Sequence, residues 1–129
     1  MFLTRRKHTK IAVIARATEI QNGSFSLGNL KSSVTFVVLL THTPDYAEDV
    51  PITNTDLVLA GHTHGGQVTV FGLYAPIIPS HYGQRFLTGL KYNSSNTPII
   101  ITNGIGTSNK NVRLFAPSEV VVITLLSRP

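Results

Sequence analysis

Two histidines one residue apart, His62 and His64, stand in the segment DLVLAGHTHGGQ (residues 56–67), framed by Gly61, Gly65 and Gly66. Neutral imidazole is a common ligand for zinc, manganese and iron. In an extended segment, side chains two residues apart point the same way. A glycine-rich turn loosens that rule and lets the two rings serve neighbouring centres. The glycines free the backbone to adopt positive φ and leave room for a ligand. A third histidine, His42, follows the apolar run of residues 34–40 as His62 follows that of residues 56–60. Strand ends on one edge of a sheet gather side chains from distant positions into one site. Spacing alone leaves two readings open: metal ligation, or ordinary polar residues at strand ends.

The elements that must position these residues are short. Apolar segments rich in Val and Ile, separated by Gly, Pro, Asn and Ser, predict strands at 11–15, 34–40, 56–60, 67–71, 85–92, 99–102 and 120–126. The runs at 34–40 and 120–126 are almost continuously apolar, which suits strands covered on both faces. YAEDV after Pro44 is the best helical turn, and Pro51 ends it. QNGS (21–24) and YNSSNTP (92–98) read as hairpin turns or loops. APIIPS (75–80), with two prolines, is excluded from a central strand. Few amphipathic helices are available to cover the sheet, so the chain either folds as a sandwich on itself or presents one face to a partner layer.

Composition narrows the chemistry further. A chain of 129 residues with 42% hydrophobic residues is long and apolar enough for one domain with a real core. The absence of cysteine excludes disulfides and thiolate metal sites, leaving His, Asp, Asn and backbone oxygen as donors. The formal charge of +5 is concentrated early, in Arg5, Arg6, Lys7, Lys10 and Arg16. This cluster reads as a solvated basic tail rather than a nucleic-acid arm, and His8 lies within it. The apolar stretch IAVIA is too short for a signal sequence and is closed by Arg16 and Glu19. No run approaches the ~18 apolar residues of a membrane span. The expectation is a chain without an anchor of its own, cytoplasmic or membrane-peripheral in a longer parent.

The order of FVVLLTHTPDYAED (36–49) and TDLVLAGHTHGGQVTVFG (55–72) resembles the last two motifs of the calcineurin-like metallophosphoesterases. In that family a late histidine motif precedes Gly-His-x-His. PSHYGQRFLTGL, TNGIGTS and VRLFAPSEVVVITL extend the resemblance towards residue 126 and towards the bacterial membrane-associated phosphodiesterase branch. The resemblance implies an α/β, β-rich fold: part of a β-sandwich flanked by helices. It also implies two divalent ions (Mn, Zn or Fe) at the strand ends and hydrolysis of phosphate mono- or diesters by metal-bound hydroxide. By this match His42 and His62 ligate one ion and His64 the other. His81 and Arg85 lie near the site entrance, where they would meet a substrate phosphate. Arg113 is a further candidate for the phosphate, or else a partner of Glu119.

The family's early motifs, Asp-x-His, Gly-Asp-x-x-Asp and Gly-Asn-His, do not occur in this chain. Its one Gly-Asn, Gly28-Asn29, is followed by Leu30, and the first 33 residues hold a single acid, Glu19. Residues 1–33 therefore read as a divergent basic segment and 34–129 as the C-terminal part of a metallophosphoesterase-like domain, with the N-terminal half missing. The partners expected are a phosphate-ester substrate, an N-terminal half or companion chain, and other copies of the chain through an uncovered sheet face. The contrasting expectation is a non-catalytic β-rich domain that binds a metal or a partner.

Overall fold

The computed structural model describes residues 11–16 and 36–126. Five strands form one mixed sheet: β1 (Ile11–Arg16), β2 (Phe36–Thr41), β3 (Leu57–Ala60), β4 (Gly89–Tyr92) and β5 (Pro98–Ile101). Their order across the sheet is β1-β2-β3-β5-β4. β1, β2, β3 and β5 run parallel, and β4 pairs antiparallel with β5. The single α-helix described, α1 (Tyr46–Asp49), is one turn long. It stops where Val50 turns extended ahead of Pro51, as the steric restriction on a residue preceding proline demands. The chain is thus β-rich α/β with little helix.

Sequence periodicity located most of these strands, within a residue or two. The β4–β5 connection is the expected turn: the Asn93 amide donates to the Thr97 carbonyl (3.1 Å), and Asn96 takes the left-handed conformation at φ 62°. Three expected strands differ. Residues 67–71 form only isolated bridges, Val68 with Leu114 and Val70 with Tyr74, because Gln67 and Phe71 both adopt positive φ. Residues 85–92 are strand only from Gly89, since the segment opens as a 3₁₀ turn over Gly83–Phe86. Residues 120–126 form no strand and lie exposed; apolar character alone makes no strand without a neighbour to pair with. The QNGS turn and the boundary near residue 33 lie outside the described residues.

One face of the sheet is a packed core. Leu39, Val58, Ala60, Ile99 and Ile101 pack together with Ala47 of α1 and with Phe86, which is fully buried. The other face carries Leu40, Leu59, Ile100 and Leu90 side by side, in register across β2, β3, β5 and β4. Of this row Leu40 is 44% and Leu90 57% exposed, and Val13 on β1 is 65% exposed. Parallel sheets ordinarily have both faces covered. Here the second face is covered only in part: Val38 and Leu57 are buried and Leu59 and Ile100 half-buried, while Leu40 and Leu90 are exposed.

Candidate metal centre

The parallel strands end on one edge, and the histidines follow those ends. His42 comes one residue after β2 and His62 two residues after β3, the adjacent strand. The Gly61 amide donates to the His42 carbonyl (3.1 Å), which stitches the two junctions together. The imidazoles consequently meet, with ring centroids 4.5 Å apart and planes inclined by 55°. The pKa of His62 is lowered, first by burial and then by the neighbouring His42 and His64, with Asp45 opposing. Burial therefore favours the neutral ring, the form able to ligate a metal.

The backbone around His62 and His64 is unusual. Both residues have positive φ, 71° and 52°, followed by Gly65 and Gly66 at 61° and 76°. A side chain on Gly65 would run into the Asn103 amide, and one on Gly66 into the Ala75 methyl. The two glycines are thus required by both conformation and space. The Nδ1 of His64 lies 3.2 Å from the Gly106 carbonyl oxygen. Because a carbonyl can only accept, the proton in this contact sits on Nδ1; in the neutral ring the lone pair is then on Nε2.

The remaining candidates are held by other contacts. The Asp45 carboxylate accepts from the Ser80 hydroxyl (2.5 Å) and the His81 amide (2.8 Å), tying the loop after His42 to the His81 segment. The His81 residue itself is exposed. Arg85 forms a two-pronged ion pair with Glu48 (3.1 and 3.2 Å) and stacks on Phe86. Arg113 makes no ion pair with Glu119. Its terminal nitrogens donate to the carbonyls of His64, Asn103, Gly104, Gly106 and Ala116. It is an internal clamp on the two loops that carry His64 and its carbonyl partner, with Nε buried and unpartnered. This positioning role, like that of Asn103 beneath Gly65, escapes sequence reasoning because backbone carbonyls carry no residue identity.

His42 and His62 bring two imidazoles together. Among the described residues no group of three or more His, Cys, Asp or Glu side chains is placed to hold an ion. His42, His62 and His64 do not converge on a single point of coordination; His42 and His62 meet while His64 is held against Gly106. Among the described residues, imidazole nitrogens come together here without a carboxylate placed to complete a metal-binding group.

The site combines paired histidines at the carboxyl edge of parallel strands with a glycine-strained turn, and the chain is similar in sequence to several known proteins. The chain is 38% identical over 92 residues to YkuE, an uncharacterised metallophosphoesterase of Bacillus subtilis, covering 71% of this chain and 32% of that protein. It is 38% identical over 88 residues to an uncharacterised metallophosphoesterase of Campylobacter jejuni, covering 68% and 22%. It is 35% identical over 89 residues to the phosphodiesterase YaeI of Escherichia coli, covering 69% and 32%. The chain is related to the metallophosphoesterases, matching the C-terminal portion of these proteins over about 70% of its own length. It spans between a fifth and a third of the length of these three curated relatives. No family model matches it, and no solved structure matches it significantly.

Proposed function

We propose that the chain is the C-terminal, histidine-bearing portion of a calcineurin-like phosphoesterase that acts on phosphate mono- or diesters with divalent metal. The meeting of His42 and His62 at the ends of adjacent parallel strands carries this reading. The relatives' names, metallophosphoesterase and phosphodiesterase, supply the reaction class. In it His42 and His62 ligate one ion and His64 belongs to a second. Manganese, zinc and iron all suit imidazole. Bound divalent ions would supply Lewis acidity and an activated water. The residues of this chain contribute the neutral donors: burial disfavours protonation of His62, and the Gly106 carbonyl fixes the proton of His64 on Nδ1. Close cations need an anionic bridge between them, and the sequence lacks the family's early aspartate motifs. The bridge and the remaining ligands therefore come from a companion segment, of the kind the relatives' greater length provides.

A second reading, a non-catalytic β-rich domain that binds a metal or a partner, is favoured by the incomplete donor set and the partly covered sheet face. Zinc calorimetry beside turnover of a chromogenic phosphodiester with manganese separates the two. The first reading expects weak zinc binding that His42→Ala and His62→Ala each reduce and His81→Ala leaves intact. Turnover should stay far below the ordinary enzyme range of ~1–10³ per second until an N-terminal segment of a relative is added. Zinc binding indifferent to both substitutions would sink the proposed ligand set. Failure of the added segment to raise turnover would favour the non-catalytic reading.

A further inference from the structure

Beside His64 the surface opens into a cavity of about 470 Å³, within the range of small-molecule sites. Its walls are aliphatic, built from Val68, Pro76, Ile77 and Val112. Of the described residues that line it, Lys110 is the one formal cation, none is a carboxylate, and the His64 imidazole is the one aromatic ring.

The walls are held in place before any ligand arrives. The Gln67 amide donates to the carbonyls of Ser108 (3.0 Å) and Lys110 (2.9 Å) and accepts from the Ser108 amide (2.6 Å), fixing the loop that carries Lys110. The Gln84 side chain does the same for Ala75, next to Pro76, donating to its carbonyl (2.6 Å) and accepting from its amide (3.3 Å). The Thr63 hydroxyl is committed to the Leu87 carbonyl (2.8 Å). These groups are therefore already engaged and not free to read the polar edges of a base or sugar. The one aromatic ring in the lining is the His64 imidazole, whose Nδ1 already faces the Gly106 carbonyl. The aliphatic walls suit a flexible hydrocarbon chain, and Lys110 and His64, both in the lining, suit an anionic end to it.

We propose that this cavity is the subsite for the aliphatic tail of an alkyl or acyl phosphate ester, with Lys110 drawing the phosphate towards His64. The proposal rests on the phosphoesterase reading for what happens to the phosphate, but not for binding itself. It is tested on the metal-free chain by calorimetry with ethyl, butyl, hexyl and octyl phosphate, each below its micelle concentration. Affinity should rise about fourfold for each added methylene that enters the cavity, on the order of 10²-fold from ethyl to hexyl phosphate. Ile77→Asp and Val112→Asp should flatten that series. Ile77 is 81% and Val112 53% exposed, so the fold is not at stake, and circular dichroism checks it. Lys110→Ala should weaken every member of the series by a similar factor and leave the slope unchanged.

A flat series in the wild-type chain overturns the proposal. So does a slope that survives both aspartate substitutions, or a Lys110→Ala variant without effect. Binding to anionic vesicles but to no monomeric alkyl phosphate overturns it in favour of a membrane-surface patch. Because no metal and no turnover enter the measurement, failure of the phosphoesterase reading leaves the series intact. A flat series, conversely, leaves the histidine assignments intact.

Discussion

At the scale of single residues, the site rests on a left-handed stretch of backbone. His62 and His64 take positive φ, where a residue bearing a side chain costs of order 1–3 kcal/mol. Gly65 and Gly66 continue the turn without that cost. Gly66→Ala is therefore expected to destabilise the chain by at least the ~1 kcal/mol of a strained φ, and by more because its new methyl meets the Ala75 methyl, an atom with no rotamer to retreat into. Gly65→Ala displaces the Asn103 amide and so costs its hydrogen bond from the Thr88 hydroxyl (2.6 Å). Gly104 has a similar φ of 64° but open space around it, so Gly104→Ala should incur the conformational term alone. Urea midpoints should rank Gly66→Ala as the most damaging and Gly104→Ala as the mildest; equal midpoints would refute the packing part of the argument. The histidine–glycine turn was legible in the sequence because its residue types are rare together. The Arg113 clamp was not, because an arginine that serves five carbonyls reads like any other arginine.

At the scale of elements, legibility followed burial. β2, β3 and β5 have buried core residues, and their Val and Ile runs announced them. The equally apolar 120–126 is exposed and unpaired, so hydrophobicity misled there. The 67–71 segment failed for a local reason, positive φ at both ends. α1 is too short to hold itself, and its anchors are side chains. The Glu48 carboxylate accepts from Arg85, from the Ser94 amide (3.0 Å) and from the Ser94 hydroxyl. The Tyr82 hydroxyl donates to Asp49 (2.6 Å). The Ser94 hydroxyl, more than any other group, holds the Glu48 pKa below the ordinary 4.5. A depressed carboxylate adds stability above its unfolded value and loses it as pH falls through its folded value. The hydrogen bond to Asp49 raises Tyr82 from an ordinary 10 to about 12. A raised tyrosine adds stability below 10 and loses it as pH climbs through about 12. Stability measured against pH should therefore fall on the acid side less steeply in Glu48→Gln than in wild type. Phenolate absorbance should show one tyrosine ionising near pH 12, returned towards 10 by Asp49→Asn. An unchanged tyrosine titration in that variant would show that the Asp49 contact does not hold in solution.

At the scale of the whole molecule, the decisive feature is a sheet whose second face is covered only in part, with Val38 and Leu57 buried there and Leu40 and Leu90 exposed. The packed face holds Phe86, Ile99 and Ile101 fully buried, while in the row on the other face Leu59 and Ile100 are half-buried and Leu40, Leu90 and the neighbouring Val13 exposed. Exposed apolar patches beyond a few hundred Å² mark interaction sites or drive association. On the proposed reading, this face is where the second sheet of the family's sandwich would lie, and partial coverage and partial ligation would share one explanation in a companion segment. If so, the chain alone should bury the face against another copy, and sedimentation velocity should show dimers or larger species whose share grows with concentration. Charge placed in the row should disperse them. Leu90→Lys on the edge strand β4 and Val13→Lys on β1 sit at exposed positions, so neither should unfold the core. Together they should yield a monomer with unchanged circular dichroism. An N-terminal segment of a relative, if it covers the face, should compete with self-association and lower the dimer fraction of the wild-type chain. A wild-type chain that stays monomeric at high concentration would refute the account of a partly covered face. It would also remove the link between the missing sheet and the missing ligands, leaving the two-histidine site to be explained within this chain alone.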